Sequence, residues 1–300
     1  MLCWVPLCYF SHAILMSFHE AAHGNLGPGR WGNDLRGMIL GWFAFVPLSA
    51  YRLVHGLHHR HLAEAADAEL WPYCDPTVPN WFRRLMVWAE LFLGMFVTPI
   101  VYLRGVLHAG AVSQRQRREI VRDYLVMFAF WGFFAAAVTW QGAWGTFLAV
   151  FVPPVYLAGV LQTLRKFTEH LGLLGNTPET AARTIVDRSL VGRFLSATML
   201  NVTYHTAHHR DASLPYFELP RATEEARAVD PSGNPIFTSY WQGFLDMLPA
   251  IANPRVGGQW LDADGDRRTQ RRERQPATFA TNSHVERDKA GANAVSGNVK

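Results

Sequence analysis

Residues 124–164 read YLVMFAFWGFFAAAVTWQGAWGTFLAVFVPPVYLAGVLQTL, 41 consecutive positions without Asp, Glu, Lys or Arg. A helix needs about 20 apolar residues to cross a hydrocarbon core of about 30 Å, so the stretch holds two such helices. Gln141-Gly142-Ala143, near its middle, supplies the turn. Arg115, Arg117, Arg118 and Arg122 precede the stretch, and Arg165 and Lys166 follow it. By the positive-inside bias both ends stay cytoplasmic. The stretch therefore reads as an out-and-back transmembrane hairpin, and the chain as a multi-pass membrane protein. Two adjacent uncharged runs of this length do not suit a helical hairpin in a soluble core.

The composition agrees. Hydrophobic residues make up 49% of the 300 and charged residues 17%, against about 25% charged in a soluble domain. That excludes a disordered chain. The net charge of +4 is too small to argue for nucleic acid as a partner, and much of the basic excess flanks apolar segments or lies near the C-terminus. Cys3, Cys8 and Cys74 are odd in number and lack C-x-x-C spacing, so neither a disulfide framework nor a thiolate metal site is indicated.

Six further regions complete the organisation. An apolar run from Leu2 to Phe18 lacks a basic leader and a small-residue cleavage site, and is expected to stay in the protein. Its length falls slightly short of a span, so either the helix continues past His19 or the natural start lies upstream. Residues 25–34 are Gly-rich and read as a loop. Segments 35–54, broken by Pro47, and 85–107, containing Pro99, are expected to be interfacial or re-entrant, each beginning and ending on the side where the site residues must meet. From Arg165 to about Trp260 mixed polarity predicts a cytosolic cap, and residues 261–300 a polar, disordered tail. The expected fold is all-α: a multi-pass helical membrane protein with a cytosolic, histidine-rich helical cap, comprising residues 1–260.

Ten of the 13 histidines fall in four clusters. His19-Glu20-Ala21-Ala22-His23 places two imidazoles at i and i+4, on one helix face. In His55-Gly56-Leu57-His58-His59 all three imidazoles project to one side of a helix, with His61 on its flank. His205-Thr206-Ala207-His208-His209 repeats that geometry, and His170 stands in Phe167-Thr168-Glu169-His170. One H-x-x-H-H is expected by chance about 0.02 times at this histidine content, so two in one chain signal a metal site. Imidazole ligation suits iron, copper, nickel or zinc. Nine candidate ligands (His19, His23, His55, His58, His59, His170, His205, His208 and His209) exceed one tetrahedral ion and suit two of higher coordination number. Such a pair points to oxygen activation, with a paired-metal hydrolase open on counting alone. Glu20 and Glu169 point off the ligand face if helical, which favours surface or supporting roles. Asn201, one turn before His205, and His61 are candidates for steadying the ligands, directly or through water. His12 is read as a hydrogen-bonded histidine within the membrane.

The boxes H-x-x-x-H, H-x-x-H-H and H-x-x-H-H, in this order, resemble those of the membrane fatty-acid desaturase and hydroxylase family. The likeness runs from Phe18 to about Pro220 and includes Asn201-Val202-Thr203-Tyr204-His205 and the run Leu214-Pro215-Tyr216-Phe217-Glu218-Leu219-Pro220. The hairpin between the second and third boxes fits, and His170 matches the additional histidine that such enzymes often carry there. The resemblance implies a mushroom-like helical membrane enzyme whose histidines hold two irons at the cytosolic membrane face. It also implies O2 as co-substrate and a lipid or fatty-acyl substrate. Two departures stand out. One short segment, rather than a full helical hairpin, precedes His19, in line with a start upstream. Arg210, Asp211, Ala212 and Ser213 loosen the usual proline pattern, which leaves the subfamily open.

The expected activity is that of a fatty-acid desaturase, with electrons from a separate donor, a ferredoxin or similar carrier with its reductase. Hydroxylation, ketolation and oxidative decarboxylation remain open on the same di-iron site. In other classes, a membrane haem electron carrier would show isolated histidines deep in spanning helices, and a metal transporter would show ligands at mid-helix. The observed histidines cluster at segment ends.

Overall fold

The computed structural model describes residues 3–110, 112–230 and 236–264. The described residues up to Trp260 form one compact unit. The expected disordered tail lies outside the described residues from 265 onward.

The membrane part is built from α1 (Trp4–His23), α2 (Arg30–Phe43), α3 (Leu48–Arg60), α4 (Asn80–His108), α5 (Gln114–Trp140) and α6 (Trp144–His170). Shorter pieces follow: α7 (Pro178–Ala181), α8 (Leu190–Thr198), α9 (His205–Arg210), α10 (Leu219–Val229), α11 (Tyr240–Met247), a 3-10 turn over Leu248–Ala252, and α12 (Gln259–Asp264). The strands among the described residues, β1 (Thr184–Ile185) and β2 (Ile236–Phe237), pair in parallel. The all-α expectation therefore holds.

α5 and α6 form the expected hairpin, with the chain turning over 141–143, where Gly142 takes a left-handed φ of 60°. α5 opens with a capping box between Ser113 and Gln116, which satisfies amides that a helix start otherwise leaves bare. The outer faces of the pair are apolar and exposed: Leu125, Phe128, Phe133 and Leu148 all lie open. A surface of that kind is suited to lipid rather than water. By length and composition α4, α5 and α6 could each cross a membrane, and α2 with α3, bent by 93°, could make a fourth span.

α4 does not run straight. Helical geometry fails at Leu93 (φ −123°, ψ 22°). The ring of Trp71 meets Phe82 on one arm, 5.9 Å between centroids, and the Arg104 guanidinium on the other, at 3.7 Å. In a straight helix those residues would stand about 33 Å apart, so the arms fold into a V with both ends at the loop 61–79. Both ends of 85–107 thus lie on one side, as expected. α2 and α3 make a second bend around Pro47. There, Gly41 lies so close to the chain that a Cβ would sit 2.6 Å from the Val46 carbonyl.

α1 threads the centre, packed chiefly on α6 and flanked by α2 and α3. Its Trp4 Nε1–H donates to Ala149 O at 3.1 Å near the start of α6, so the two helices run parallel and end together at His23 and His170. α1 stops there because Gly24 adopts φ 88° and its amide bonds back to the helix carbonyls. The C-termini of α1, α3 and α6 converge, each carrying partial negative charge that favours a cation between them.

Candidate metal centre

Four elements deliver histidines to this point. His19 and His23 come from the end of α1, His55, His58 and His59 from the end of α3, His170 is the last residue of α6, and α9 carries His205, His208 and His209. All nine sequence-predicted ligands meet. His19, His23, His55, His59 and His208 have ligand atoms within 4.8 Å of one another, and so do His58, His170 and His209. His205 joins the second group through His170, together with Glu169. The two groups are adjacent, with the rings of His59 and His209 at 4.5 Å.

The spacing suits ions. Metal–nitrogen bonds of about 2.0–2.1 Å at right angles separate ligand nitrogens by about 3 Å. Nε2 of His55 lies 2.9 Å from Nε2 of His23 and 3.2 Å from that of His59. Nε2 of His205 lies 2.8 Å from that of His170 and 3.1 Å from that of His209. A ring nitrogen offers one lone pair or one hydrogen, so hydrogen bonds alone do not account for two close nitrogens around each. The Nε2 of His208 is buried without a partner in the same cluster. Burial, reinforced by the neighbouring imidazoles, pushes His205, His208 and His209 well below the ordinary histidine range, which keeps them in the neutral form that binds metals.

The opposite ring edges are held. His55 Nδ1–H donates to Glu69 Oε2 at 2.7 Å, His58 Nδ1–H to Asp67 Oδ2 at 2.8 Å, and His170 Nδ1–H to the Ala181 carbonyl at 2.8 Å. These bonds set the tautomer with Nε2 facing inward. Sequence reading missed Asp67 and Glu69. The signal available was an acid-x-acid pair in the polar loop after the second box.

The remaining candidates take different places. Glu20 and Glu169, expected at the surface or in supporting roles off the ligand face, are both buried. Glu20 lies 3.4 Å from His19 Nδ1 and accepts from the Tyr216 backbone. Glu169 Oε2 lies 3.5 Å from His205 Nε2. Asn201 is not one helical turn before His205, because Leu200 and Asn201 take left-handed φ angles of 51° and 52° and α9 begins only at His205. Asn201 donates to the Tyr216 carbonyl at 3.1 Å and so braces the segment that holds Glu20. His61 lies past the end of α3 and pairs with Glu64 at 3.0 Å near the surface. His12 is buried in α1, outside the two groups.

Beside the histidines lies a cavity of about 330 Å³ between α1, α4 and α6, walled by Phe18, Tyr51, Tyr102, Phe151 and Val155. Glu69 also lines it, so this carboxylate and the Tyr51 ring, stacked on His55 at 5.1 Å, join the cavity to a candidate ligand.

Helices suited to a membrane, an imidazole cluster and an apolar cavity against it define an integral-membrane protein whose histidines fit a metal site. The family model described as fatty acid desaturase matches residues 1–241, and the chain belongs to that family. A curated relative, the sn-1 acyl-lipid omega-3 desaturase (ferredoxin) of Synechocystis sp. (strain ATCC 27184 / PCC 6803 / Kazusa), is 22% identical over 253 residues, covering 74% of this chain and 68% of the relative. The protein is a desaturase-like oxidoreductase.

Proposed function

We propose that this chain is a di-iron, O2-dependent desaturase that removes hydrogen from an acyl chain held within the membrane. The observation that carries the reading is the gathering of nine histidines, seven of them buried, into adjacent groups beside an apolar cavity. His19, His23, His55, His59 and His208 hold one ion, and His58, His170, His205 and His209 the other. Iron bound there would supply oxygen activation and attack on an unactivated C–H bond.

The chain's own residues do the rest. Phe18, Phe151 and Val155 bind the acyl tail and keep water out, while Tyr51 and Tyr102, stacked at 5.0 Å, narrow the cavity at its histidine end. Glu69, Asp67 and the Ala181 carbonyl fix three imidazoles against rotation. The relative's description as an acyl-lipid desaturase using ferredoxin supports a lipid substrate and a ferredoxin-type donor, which a separate reductase would recharge. The arginines in the first turns of α5 and Arg165-Lys166 near the end of α6 favour the cytoplasmic face for the histidines by the positive-inside bias. Residues 1–260 make up the catalytic part and 261–300 a polar tail.

The test is metal analysis and visible spectroscopy of detergent-purified protein, followed by lipid products in cells expressing it. About two irons per chain without a haem band, and new alkenes in cellular acyl chains, are expected. A haem spectrum, or zinc that iron does not replace, overturns the reading; alcohols instead of alkenes make it a hydroxylase.

A further inference from the structure

The two histidine groups are unequal. Five imidazoles surround the first position and four the second, and the deficit falls where a buried carboxylate sits. Resting on the two-ion reading above, we propose that Glu169 is the fifth ligand of the second ion, so that this position is a four-histidine, one-carboxylate site rather than an all-imidazole one.

Glu169 and His170 are consecutive at the end of α6, and α9 brings His205 up against both. The ligand atoms of these three residues lie within 4.8 Å of one another. Glu169 Oε2 is 3.5 Å from His205 Nε2, which is itself 2.8 Å from His170 Nε2 and 3.1 Å from His209 Nε2. The carboxylate thus approaches the atom on which the group's nitrogens converge. Its side chain is 3% exposed, and a buried carboxylate is costly unless paired. Arg165, one turn earlier and equally buried, donates from Nη1 at 2.6 Å to both oxygens. Each carboxylate oxygen has two lone pairs, so Arg165 leaves a direction open toward His205. A ligating carboxylate is ordinarily steadied by such a hydrogen bond. An ion at this point would therefore gain a negatively charged oxygen ligand that the first position lacks. The two ions would differ in charge environment although both rest mainly on imidazole.

The test uses the full chain, purified in detergent and loaded anaerobically with ferrous iron, read by iron analysis and Mössbauer spectroscopy. Glu169→Gln keeps the shape and a carbonyl for Arg165 but removes the charge. Ligation predicts a fall from about two irons to about one per chain, with loss of one of two spectral components. Wild-type iron content and unchanged components in Glu169→Gln overturn the proposal. If that variant does not fold, Glu169→Asp takes its place, since it retains the charge and the Arg165 pair. A shift in one component alone supports ligation, and two unchanged components refute it. Wild-type protein that takes up no iron overturns the two-ion reading itself, and this proposal with it.

Discussion

His58 Nδ1 lies 2.8 Å from Oδ2 of Asp67, a carboxylate with no exposed surface. The same acid accepts the backbone amides of Ala63, Glu69 and Leu70 at 3.0–3.1 Å. The loop after α3 is therefore wrapped around one side chain, and that side chain orients one imidazole. Loop conformation and ligand direction are a single feature of the fold.

Asp67→Asn separates charge from shape. The amide retains one acceptor oxygen but turns a donor group toward donors. Removing such a partner costs about 10–100-fold in metal affinity. Iron retained after dialysis against a chelator, measured per chain, is expected to drop accordingly, while helicity by circular dichroism stays near that of the wild type.

His61 and His208 should behave oppositely, although both belong to histidine clusters. His61 forms a near-surface pair with Glu64, and such pairs contribute about 0–1 kcal/mol. His61→Ala is expected to keep turnover within about twofold, whereas His208→Ala should lose it and bind less iron. Parallel product assays and metal analysis check this, and equal losses would show that His61 belongs to the site.

Lys166 pairs with Glu90 inside the bundle, where the Tyr73 hydroxyl also donates to Glu90 at 2.8 Å. Lys166→Met strands a buried carboxylate, at a cost of about 3–5 kcal/mol. The double variant Lys166→Met/Glu90→Gln removes both charges and is expected to recover most of that loss. Thermal unfolding in detergent compares the three proteins.

At the bend between α2 and α3, Gly41→Val places a side chain where a Cβ already comes within 2.6 Å of the Val46 carbonyl and 2.9 Å of the Phe18 ring. Overpacking of this kind costs about 1–3 kcal/mol. A lower midpoint in the same unfolding assay is the expected outcome.

Val155→Trp fills part of the cavity wall at the level of Phe151. If the acyl tail occupies that space, shorter chains should be favoured over longer ones by about tenfold, the discrimination available to one or two methylenes in an apolar pocket. Chain-length profiles of products from wild type and variant measure it.

The V-shaped course of α4 shows how far sequence reading reaches. Pro99 and the short uncharged core argued against a straight span, and the V-shaped helix agrees. The position of the break, Leu93, carried no signal, because it is set by Gly94 meeting Thr163 and by Trp71 drawing both arms together. Asn201 shows the opposite case. Helical spacing put it beside His205, but two left-handed residues interrupt the helix, and its side chain braces Tyr216 instead.

The sequence alone determined the membrane hairpin and the three histidine faces, because an uncharged run and a 3.6-residue period are local properties that the chain carries wherever it is placed. Only the tertiary structure decided which histidines come together, five in one cluster and the other four in overlapping sets beside it, and that Asp67, Glu69 and Glu169 stand behind or among them. Those relations join residues 9 to more than 180 positions apart, and they depend on how helix ends converge in space, for which the order of residues along the chain has no period.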